Sequence, residues 1–240
     1  MPKRRARWFL LVSMLSALLL SGCITSLAPV KPLPREALAS VTEVVVAVGA
    51  NGVKHYAWTE CSGEDATYTC VLVYSRVVLG AVVYSHGFVV PIGTFARNPD
   101  VAVASSGDAY VVRSVCTSAF GCVDYWSMFP ADNPESVEID TNLLHTSALN
   151  SEAPPRVEAR DNNVYAAYVV EIGGFTRLRY RQLSGGARTG LVDTSLLPPA
   201  GASIAVDSAG DLHAVWVRNP VTDTIVAYSN NKLSAGKWVR

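Results

Sequence analysis

The feature that most constrains the fold is a unit that occurs four times in this chain of 240 residues. Each copy has a short stretch of alternating apolar residues, a turn rich in Gly, Asn, Asp or Ser, and a second alternating stretch. The copies are VAVGANGVKHYAW, VAVASSGDAYVVR, VEARDNNVYAAY and IAVDSAGDLHAVW, which start at Val46, Val101, Val157 and Ile204. These starts are 55, 56 and 47 residues apart. Alternation on both sides of a short turn predicts a β-hairpin in every copy.

A second repeated column extends each unit beyond its hairpin. The second strand of each copy carries a His or a Tyr at one position, and this column consists of His55, Tyr110, Tyr165 and His213. A Tyr follows after 19, 15, 15 and 15 residues, and this second column consists of Tyr74, Tyr125, Tyr180 and Tyr228. A further apolar patch comes next, as at Leu191–Val192. Four short strands in about 50 residues is the size of one β-propeller blade, so we expect an all-β fold of about four four-stranded blades.

The end of the fourth unit leaves two arrangements open. By the spacing of the earlier units, its fourth strand would begin at Val239, next to Arg240. Either four blades close with a terminal strand from elsewhere in the chain, or the units are the first part of a longer propeller. We favour the incomplete propeller, because an open last blade would leave an unpaired strand edge.

The first 22 residues have the pattern of an export signal. Four basic residues lie between Lys3 and Arg7, and an apolar run from Trp8 to Leu20 follows. This run of 13 residues is shorter than the roughly 20 residues that span a bilayer as a helix, and small residues follow it. We therefore expect a signal peptide at residues 1–22, a Pro-rich tether at residues 23–43 and the repeat domain at residues 44–240.

The end of this leader, Leu20-Ser-Gly-Cys23, resembles the lipobox of bacterial lipoproteins at all four positions. The resemblance implies that Cys23 receives a diacylglyceryl group, that cleavage precedes it, and that the new amino terminus is acylated, with palmitate as a typical chain. Lipid chains anchor a protein through the roughly 0.8 kcal/mol that each buried methylene contributes. The implied partner of Cys23 is therefore membrane lipid. The implied location is the cell envelope: the outer membrane in a Gram-negative host, since Ile24 follows the cysteine, and otherwise the outer face of the plasma membrane.

Four cysteines occupy matching places in the first two units. Cys61 and Cys70 lie between the second and third strands of the first unit, and Cys116 and Cys122 lie in the same loop of the second. An exported chain meets an oxidising compartment, where an even number of cysteines indicates disulfides. We favour Cys61–Cys70 with Cys116–Cys122, because these pairs would staple equivalent hairpins. A zinc site is the alternative, but spacings of nine and six residues fit it poorly.

Charge argues against a nucleic-acid partner. The chain has 20 basic and 20 acidic residues, and four of the basic ones precede Cys23. The mature chain would therefore carry 16 basic and 20 acidic residues, which gives a net charge of −4. A mildly acidic domain lacks the positive surface of a nucleic-acid binder.

The units also resemble the blades of sialidase-like bacterial propeller repeats. The fourth unit matches that pattern best, at Ile204, Asp207, Gly210, His213, Trp216, Tyr228, Ser229 and Trp238. Sialidase activity would require three arginines for the substrate carboxylate, the first in a Phe/Tyr-Arg-Ile/Leu-Pro motif, and Phe95-Ala-Arg-Asn-Pro99 departs from it. The remaining arginines lie mostly on expected strands, where alternation would send their side chains to solvent; they are Arg113, Arg156, Arg160, Arg177, Arg179 and Arg181. We therefore expect a protein that is not an enzyme, with a sialidase-like glycoside hydrolase, or a fragment of one, as the alternative.

Other catalytic or metal chemistry finds little support in the sequence. His55 and His213 share their column with Tyr, which indicates a half-buried aromatic position. The turn Asp207-Ser-Ala-Gly-Asp211 could suggest calcium, but the equivalent turns share only turn-forming residues, which indicates backbone geometry. No Gly-x-Ser-x-Gly elbow and no phosphate-binding loop occurs in the sequence. We therefore expect no cofactor and no metal.

A binding module is the favoured interpretation, with a glycan or a protein as its ligand. The loops between the second and third strands of the first two units would be stapled by disulfides, which favours a preorganised contact surface. Nearby aromatic side chains form the candidate binding loop, which consists of Phe120, Tyr125, Trp126 and Phe129. The alternative, which the sequence supports equally, is that these aromatic side chains pack between blades.

Overall fold

The computed structural model describes most of the repeat region of the chain. The described ranges are residues 40–63, 69–88, 90–91, 93–117, 121–133, 138–147, 154–172, 175–185, 189–192, 199–218, 225–232 and 237–239. Contacts divide the chain into two units, Met1–Leu38 and Ala39–Arg240, and the described residues belong to the second. Within these ranges, no helix has the length and apolar character needed to cross a membrane.

The described residues form sixteen strands, and these build four sheets. The strands are β1 (Ser40–Val48), β2 (Lys54–Ser62), β3 (Thr69–Val78), β4 (Ala81–Phe88), β5 (Thr94–Val103), β6 (Ala109–Thr117), β7 (Gly121–Phe129), β8 (Glu138–Ser147), β9 (Arg156–Arg160), β10 (Asn163–Ile172), β11 (Phe175–Gln182), β12 (Thr189–Leu191), β13 (Pro199–Val206), β14 (Leu212–Arg218), β15 (Ile225–Lys232) and β16 (Lys237–Val239). Each sheet takes four consecutive strands, paired antiparallel in chain order. We call these sheets blades 1 to 4.

The tight turn of each repeated unit joins the first two strands of its blade. In blade 2, the backbone N–H of Gly107 donates to the carbonyl of Ala104 at 2.9 Å, and in blade 4, that of Gly210 donates to Asp207 at 3.1 Å. Both glycines have positive φ, 91° and 81°, which a residue with a Cβ rarely adopts. The turn residues therefore serve backbone geometry, as the comparison of the four copies predicts.

Apolar cores fill the spaces between neighbouring blades. One core lies between blades 1 and 2, a second between blades 2 and 3, and a third between blades 3 and 4. Representative members are Leu72 and Phe129 in the first, Val112 and Tyr168 in the second, and Leu178 and Trp216 in the third. Blades 2 and 3 are covered on both sides, so β6 and β10 are apolar along most of their length instead of alternating.

The first strand of each blade is the innermost one. β1 contacts β5, β5 contacts β9, and β9 contacts β13, so the blades follow one another in chain order around these four strands. Two inner strands are joined at a bulge: the carboxylate of Glu43 in β1 accepts a hydrogen bond from the backbone N–H of Asn98 in β5 at 2.6 Å. Both residues have positive φ, 53° and 54°, at matching positions of their repeats. This order is that of propeller blades.

The fourth blade has its own fourth strand. β16 pairs with β15 through Val239, Trp238 and Lys237, so blade 4 needs no strand lent from elsewhere in the chain. Of the two arrangements that the sequence leaves open, the one in which blade 4 takes a strand from elsewhere in the chain is therefore not the one observed. The spacing of the units nevertheless placed Val239 in that strand.

The cysteines form the two local disulfides favoured by their spacing. Cys61 pairs with Cys70 across β2 and β3, and Cys116 pairs with Cys122 across β6 and β7. In both pairs the Cα atoms are 4.0 Å apart, and the two residues stand directly opposite each other in the strand register. Each disulfide therefore joins the second and third strands of its blade close to the loop that connects them.

Candidate ligand-binding cavity

The innermost strands of all four blades line one cavity of about 350 Å³. Its polar side chains are Asp100 on β5, Arg156 and Glu158 on β9, and Ser203 on β13. The other residues of the wall are Val, Ala and Ile. Ligand pockets are typically apolar with a few convergent polar groups, and volumes from about 300 Å³ upward are common. This cavity therefore has the size of a small ligand site, and most of its exposed surface is polar.

Asp100 bridges two inner strands with its carboxylate. One oxygen, Oδ2, accepts a hydrogen bond from the backbone N–H of Val157 at 3.0 Å, and the other, Oδ1, accepts one from the N–H of Val101 at 3.0 Å. Burial raises the pKa of Asp100, while these two N–H groups and the charge of Arg156 act in the opposite direction. Asp100 therefore ties β5 to β9 and contributes a fixed carboxylate to the cavity wall.

Glu158 is the second acid of the wall. Burial raises its pKa, and the negative charge of Asp100 raises it further. Arg156, two residues earlier on the same strand, also lines the cavity. The wall thus offers one cation, two carboxyl groups and the hydroxyl of Ser203, an arrangement that can hydrogen-bond to a neutral polyhydroxylated molecule.

The sequence carries a positional signal for three of these residues. Asp100, Arg156 and Ser203 each directly precede the first residue of a repeated unit, and the first unit has Val45 at this place. Apolar alternation defined the units by their buried side chains. In the last three units the position one residue earlier contributes a polar residue to the cavity wall. The residue type at this position differs in every copy, so an alignment based on similarity leaves it out.

Arg113 contradicts the expectation that the strand arginines point to solvent. Its side chain is buried at 6% exposure between blades 1 and 2. The guanidinium lies 4.1 Å from the ring centre of Phe88 and 5.4 Å from that of Tyr125, and Nη1 donates to Ser127 Oγ at 3.0 Å. Burial lowers the pKa of Arg113 to about 10. Alternation did assign Arg113 to one face of the strand, but this face is covered by the preceding blade.

The candidate binding loop is largely structural where it is described. Trp126 belongs to the core between blades 2 and 3, and Phe129 belongs to the core between blades 1 and 2. Tyr125 lies within β7 beside Arg113, and Phe120 lies outside the described residues. For Trp126 and Phe129 the structure therefore favours the packing role that the sequence left open.

The Tyr column is displaced by one residue in blade 2. In blades 1, 3 and 4 the Tyr lies opposite the residue two positions after the His/Tyr column: Ala57 pairs with Tyr74, for example. In blade 2 this register position is Trp126, which pairs with Val112, while Tyr125 pairs with Arg113 on the other face. Trp126 stacks near Tyr110, with 6.2 Å between ring centres. The equal spacing of 15 residues was therefore misleading at Tyr125.

The His/Tyr column is structural in the first three blades. His55 is 2% exposed, and its Nδ1 lies 2.7 Å from the hydroxyl of Tyr74. Tyr110 and Tyr165 are buried at the same position. Burial and, to a smaller extent, the charge of Arg76 lower the pKa of His55 to about 4. His55 is thus neutral at neutral pH and more deeply buried than the half-buried position expected.

His213 makes a chain of hydrogen bonds in blade 4. Its Nε2 lies 3.0 Å from Asp207 Oδ2, and its Nδ1 lies 2.7 Å from the hydroxyl of Tyr228. A carboxylate only accepts, so Nε2 carries the proton and a neutral ring accepts from Tyr228. The other oxygen of Asp207 accepts from the N–H groups of Ala209 and Asp211, which fixes the turn. The bond from His213 lowers the pKa of Asp207.

No cluster of three or more His, Cys, Asp or Glu residues within the described ranges has the geometry of a metal site. At the Asp207 turn in particular, the carboxylate is engaged by His213 and by backbone N–H groups. The contacts of Asp207 are therefore those of a turn cap.

Comparisons with known proteins give matches among solved structures alone. No protein-family model matches the chain, and no curated protein does. The GH93 α-L-arabinofuranosidase of Fusarium graminearum, solved with arabinobiose, aligns with 82% of this chain and 64% of its own at 10% identity, with a TM-score of 0.50. A protein of unknown function from Dyadobacter fermentans aligns with 85% of this chain and 68% of its own at 13% identity, also with a TM-score of 0.50. The intramolecular trans-sialidase of Ruminococcus gnavus aligns with 82% of this chain and 44% of its own at 10% identity and a TM-score of 0.47.

This chain thus spans less than two thirds of the length of the arabinofuranosidase that it matches. At such low identity the matches bear on the fold alone. Together with the four antiparallel four-stranded sheets, they confirm the all-β fold of propeller blades that the repeats predict.

Proposed function

We propose that this protein is an exported, lipid-anchored glycan-binding module, and that its β-propeller unit binds without catalysis. The observation that supports the proposal most is the cavity of about 350 Å³ at the innermost strands, with Asp100, Arg156, Glu158 and Ser203 in its wall. Carboxylate, guanidinium and hydroxyl groups at fixed positions suit the hydroxyl groups of a sugar. The solved arabinofuranosidase complex with arabinobiose supports a glycan as the ligand class.

The hydrogen bonds of Asp100 are the reason to expect binding without catalysis. Glycoside hydrolysis uses two carboxyl groups that face the scissile bond, one as proton donor and the other as base or nucleophile. Both oxygens of Asp100 accept backbone N–H groups, so its carboxylate is committed to joining β5 and β9. Glu158 would then have to serve as the catalytic acid of this wall. Asp100 would not be available as the second carboxyl group that hydrolysis needs.

A glycan array followed by calorimetry tests the binding proposal. We expect a Kd in the micromolar to millimolar range for a short oligosaccharide, and we expect Glu158→Gln and Arg156→Ala to weaken it about tenfold or more, since each removes a charged hydrogen bond. Leu79→Asn, in a fully exposed turn of blade 1, is the matched control and should bind like the unaltered protein. Binding that survives both cavity variants would refute the location of the site.

A glycoside hydrolase is the second candidate, because burial and the charge of Asp100 raise the pKa of Glu158 in the direction that a proton donor requires. Incubation with a panel of aryl glycosides, including a sialic acid reporter, separates the two candidates. Release of the aryl group that disappears in Glu158→Gln and persists in Leu79→Asn would establish hydrolysis and overturn the non-catalytic assignment. If no aryl glycoside is cleaved and a glycan is bound, the result would support the binding module.

The proposed location depends on residues outside the described ranges, with Cys23 as the lipidated residue. The lipobox resemblance supports it, and metabolic labelling with a fatty-acid analogue tests it. We expect label in the membrane fraction for the unaltered chain and none for Cys23→Ala. Equal labelling of both proteins would refute the lipid anchor.

A further inference from the structure

Blade 4 exposes the side chains that the earlier blades bury under the next blade. Tyr228 is 50% exposed, whereas Tyr74 and Tyr180 at the same register position are 1% and 8% exposed. Two residues before the Tyr, Val226 is 68% exposed, whereas Leu178 is 1% exposed. Val215, opposite Tyr228 in the sheet, is also exposed. We call Val215, Val226 and Tyr228 the trailing face.

Blade 1 exposes the complementary set. The first apolar residue of the repeat, Val46, is 56% exposed, whereas Val101, Val157 and Ile204 at the same position are buried. Val44 and Val48, two residues to either side on β1, are exposed as well. Trp58 on β2 is half-buried, although its counterpart Trp216 is fully buried. We call Val44, Val46, Val48 and Trp58 the leading face.

These two faces are the two halves of one interface that the chain builds three times. Between blades 3 and 4, Leu178 and Tyr180 of the earlier blade pack with Ile204 and Trp216 of the later blade. The earlier blade contributes the trailing positions and the later blade the leading positions. Each face presents exposed apolar side chains, and contiguous exposed apolar surface marks an interaction site.

We propose that a second copy of this chain binds head to tail, with its leading face on the trailing face of the first copy. A second copy is the occupant we choose because it carries both faces, and their pairing would continue the interface already present between blades 1 and 2, 2 and 3, and 3 and 4. Such contact is heterologous, since different surfaces of identical chains meet. It places Val226 of one copy against the β1–β2 hairpin of the other.

Sedimentation of the full chain in a mild detergent tests this proposal. The full chain should associate with a concentration-dependent mass. Val226→Lys on the trailing face and Val46→Lys on the leading face should each raise the dissociation constant at least about tenfold, as apolar anchors of an interface do. Leu79→Lys, also exposed and apolar but in the β3–β4 turn, is the control and should associate normally. Circular dichroism melts check that all three variants fold.

Mixing the two face variants distinguishes the head-to-tail arrangement from other dimers. Val46→Lys keeps an intact trailing face and Val226→Lys keeps an intact leading face, so an equimolar mixture should recover a one-to-one dimer that neither variant forms alone. A monomer at every concentration would overturn the proposal. A dimer sensitive to one face but not to the other would also overturn it, since like faces would then be meeting.

Cysteine cross-linking tests closure within one chain. A mixture of Val46→Cys and Val226→Cys proteins should give an oxidised product of twice the chain mass. If the doubly substituted chain instead forms an internal cross-link and stays monomeric, the two faces cover each other within one molecule and the proposal fails.

Discussion

Replacing His55 with Phe should remove a large part of the acid sensitivity of the fold. His55 is almost completely buried, and its pKa of about 4 lies well below the ordinary value of 6.5. The unfolded chain therefore binds a proton at this residue between pH 6.5 and pH 4, whereas the folded chain does not. The stability that neutral His55 supports is complete above pH 6.5 and is lost as the pH falls through this window.

The size of the pKa shift of His55 determines how much stability is lost at low pH. A difference of one pKa unit corresponds to about 1.4 kcal/mol, so the free energy of unfolding should fall by about 3 kcal/mol between pH 7 and pH 4 through this residue alone. Asp124 acts in the opposite direction, because burial raises its pKa to about 6. Asp124 is unchanged in the variant, so its contribution cancels when the two proteins are compared.

Urea denaturation at pH 7, 6, 5 and 4 measures the effect. The unaltered protein should lose about 3 kcal/mol more than His55→Phe over this range. Tyr74→Phe is the matched control: it removes the hydroxyl that bonds to His55 but leaves the imidazole buried, so the acid loss should remain. Parallel pH profiles for the unaltered protein and His55→Phe would refute the assignment of acid sensitivity to this side chain.

Four further variants test the packing and one disulfide. Trp216→Ala should lower the free energy of unfolding by about 3–5 kcal/mol in urea titrations, whereas Tyr228→Ala on the exposed side of the same blade should cost less than about 1 kcal/mol. Arg113→Met should leave the free energy of unfolding unchanged or raise it, because the cost of desolvating a buried guanidinium is removed. A loss above about 2 kcal/mol would show that the ring contacts and the hydrogen bond of Arg113 outweigh this desolvation cost. Replacing Cys116 and Cys122 with Ser should cost about 2 kcal/mol, because the disulfide closes a loop of few residues, and the doubly substituted protein should respond to reductant only through the remaining Cys61–Cys70 disulfide.

The fold could be predicted from sequence because one repeated pattern encodes both strand alternation and turn chemistry. Four copies constrain each other, so an ambiguous segment in one unit is resolved by a clear one in another. Which face of a strand is buried by a neighbouring blade could not be predicted from the sequence in the same way. Arg113 occupies the position of Trp58, Tyr168 and Trp216, and the sequence does not say that the preceding blade covers it. At Tyr125 the separation in sequence matched while the strand register differed by one residue, which reversed the face.

The repeated interface also explains why residue type alone is a poor guide to function in this chain. His55 with Tyr74 and His213 with Tyr228 make the same hydrogen bond, 2.7 Å long in both blades. The first pair lies under blade 2 and stabilises a core, whereas the second lies on the trailing face, where half of the Tyr228 side chain is exposed. The difference arises from what covers each pair and not from its chemistry: blade 2 covers the first pair, whereas no strand within the described residues covers Tyr228 in the same way. A second copy bound at the trailing face would bury His213 and Tyr228 as blade 2 buries their counterparts. Solvent protection of Tyr228 on association, measured by iodination, should therefore appear in the unaltered protein and be lost in Val46→Lys.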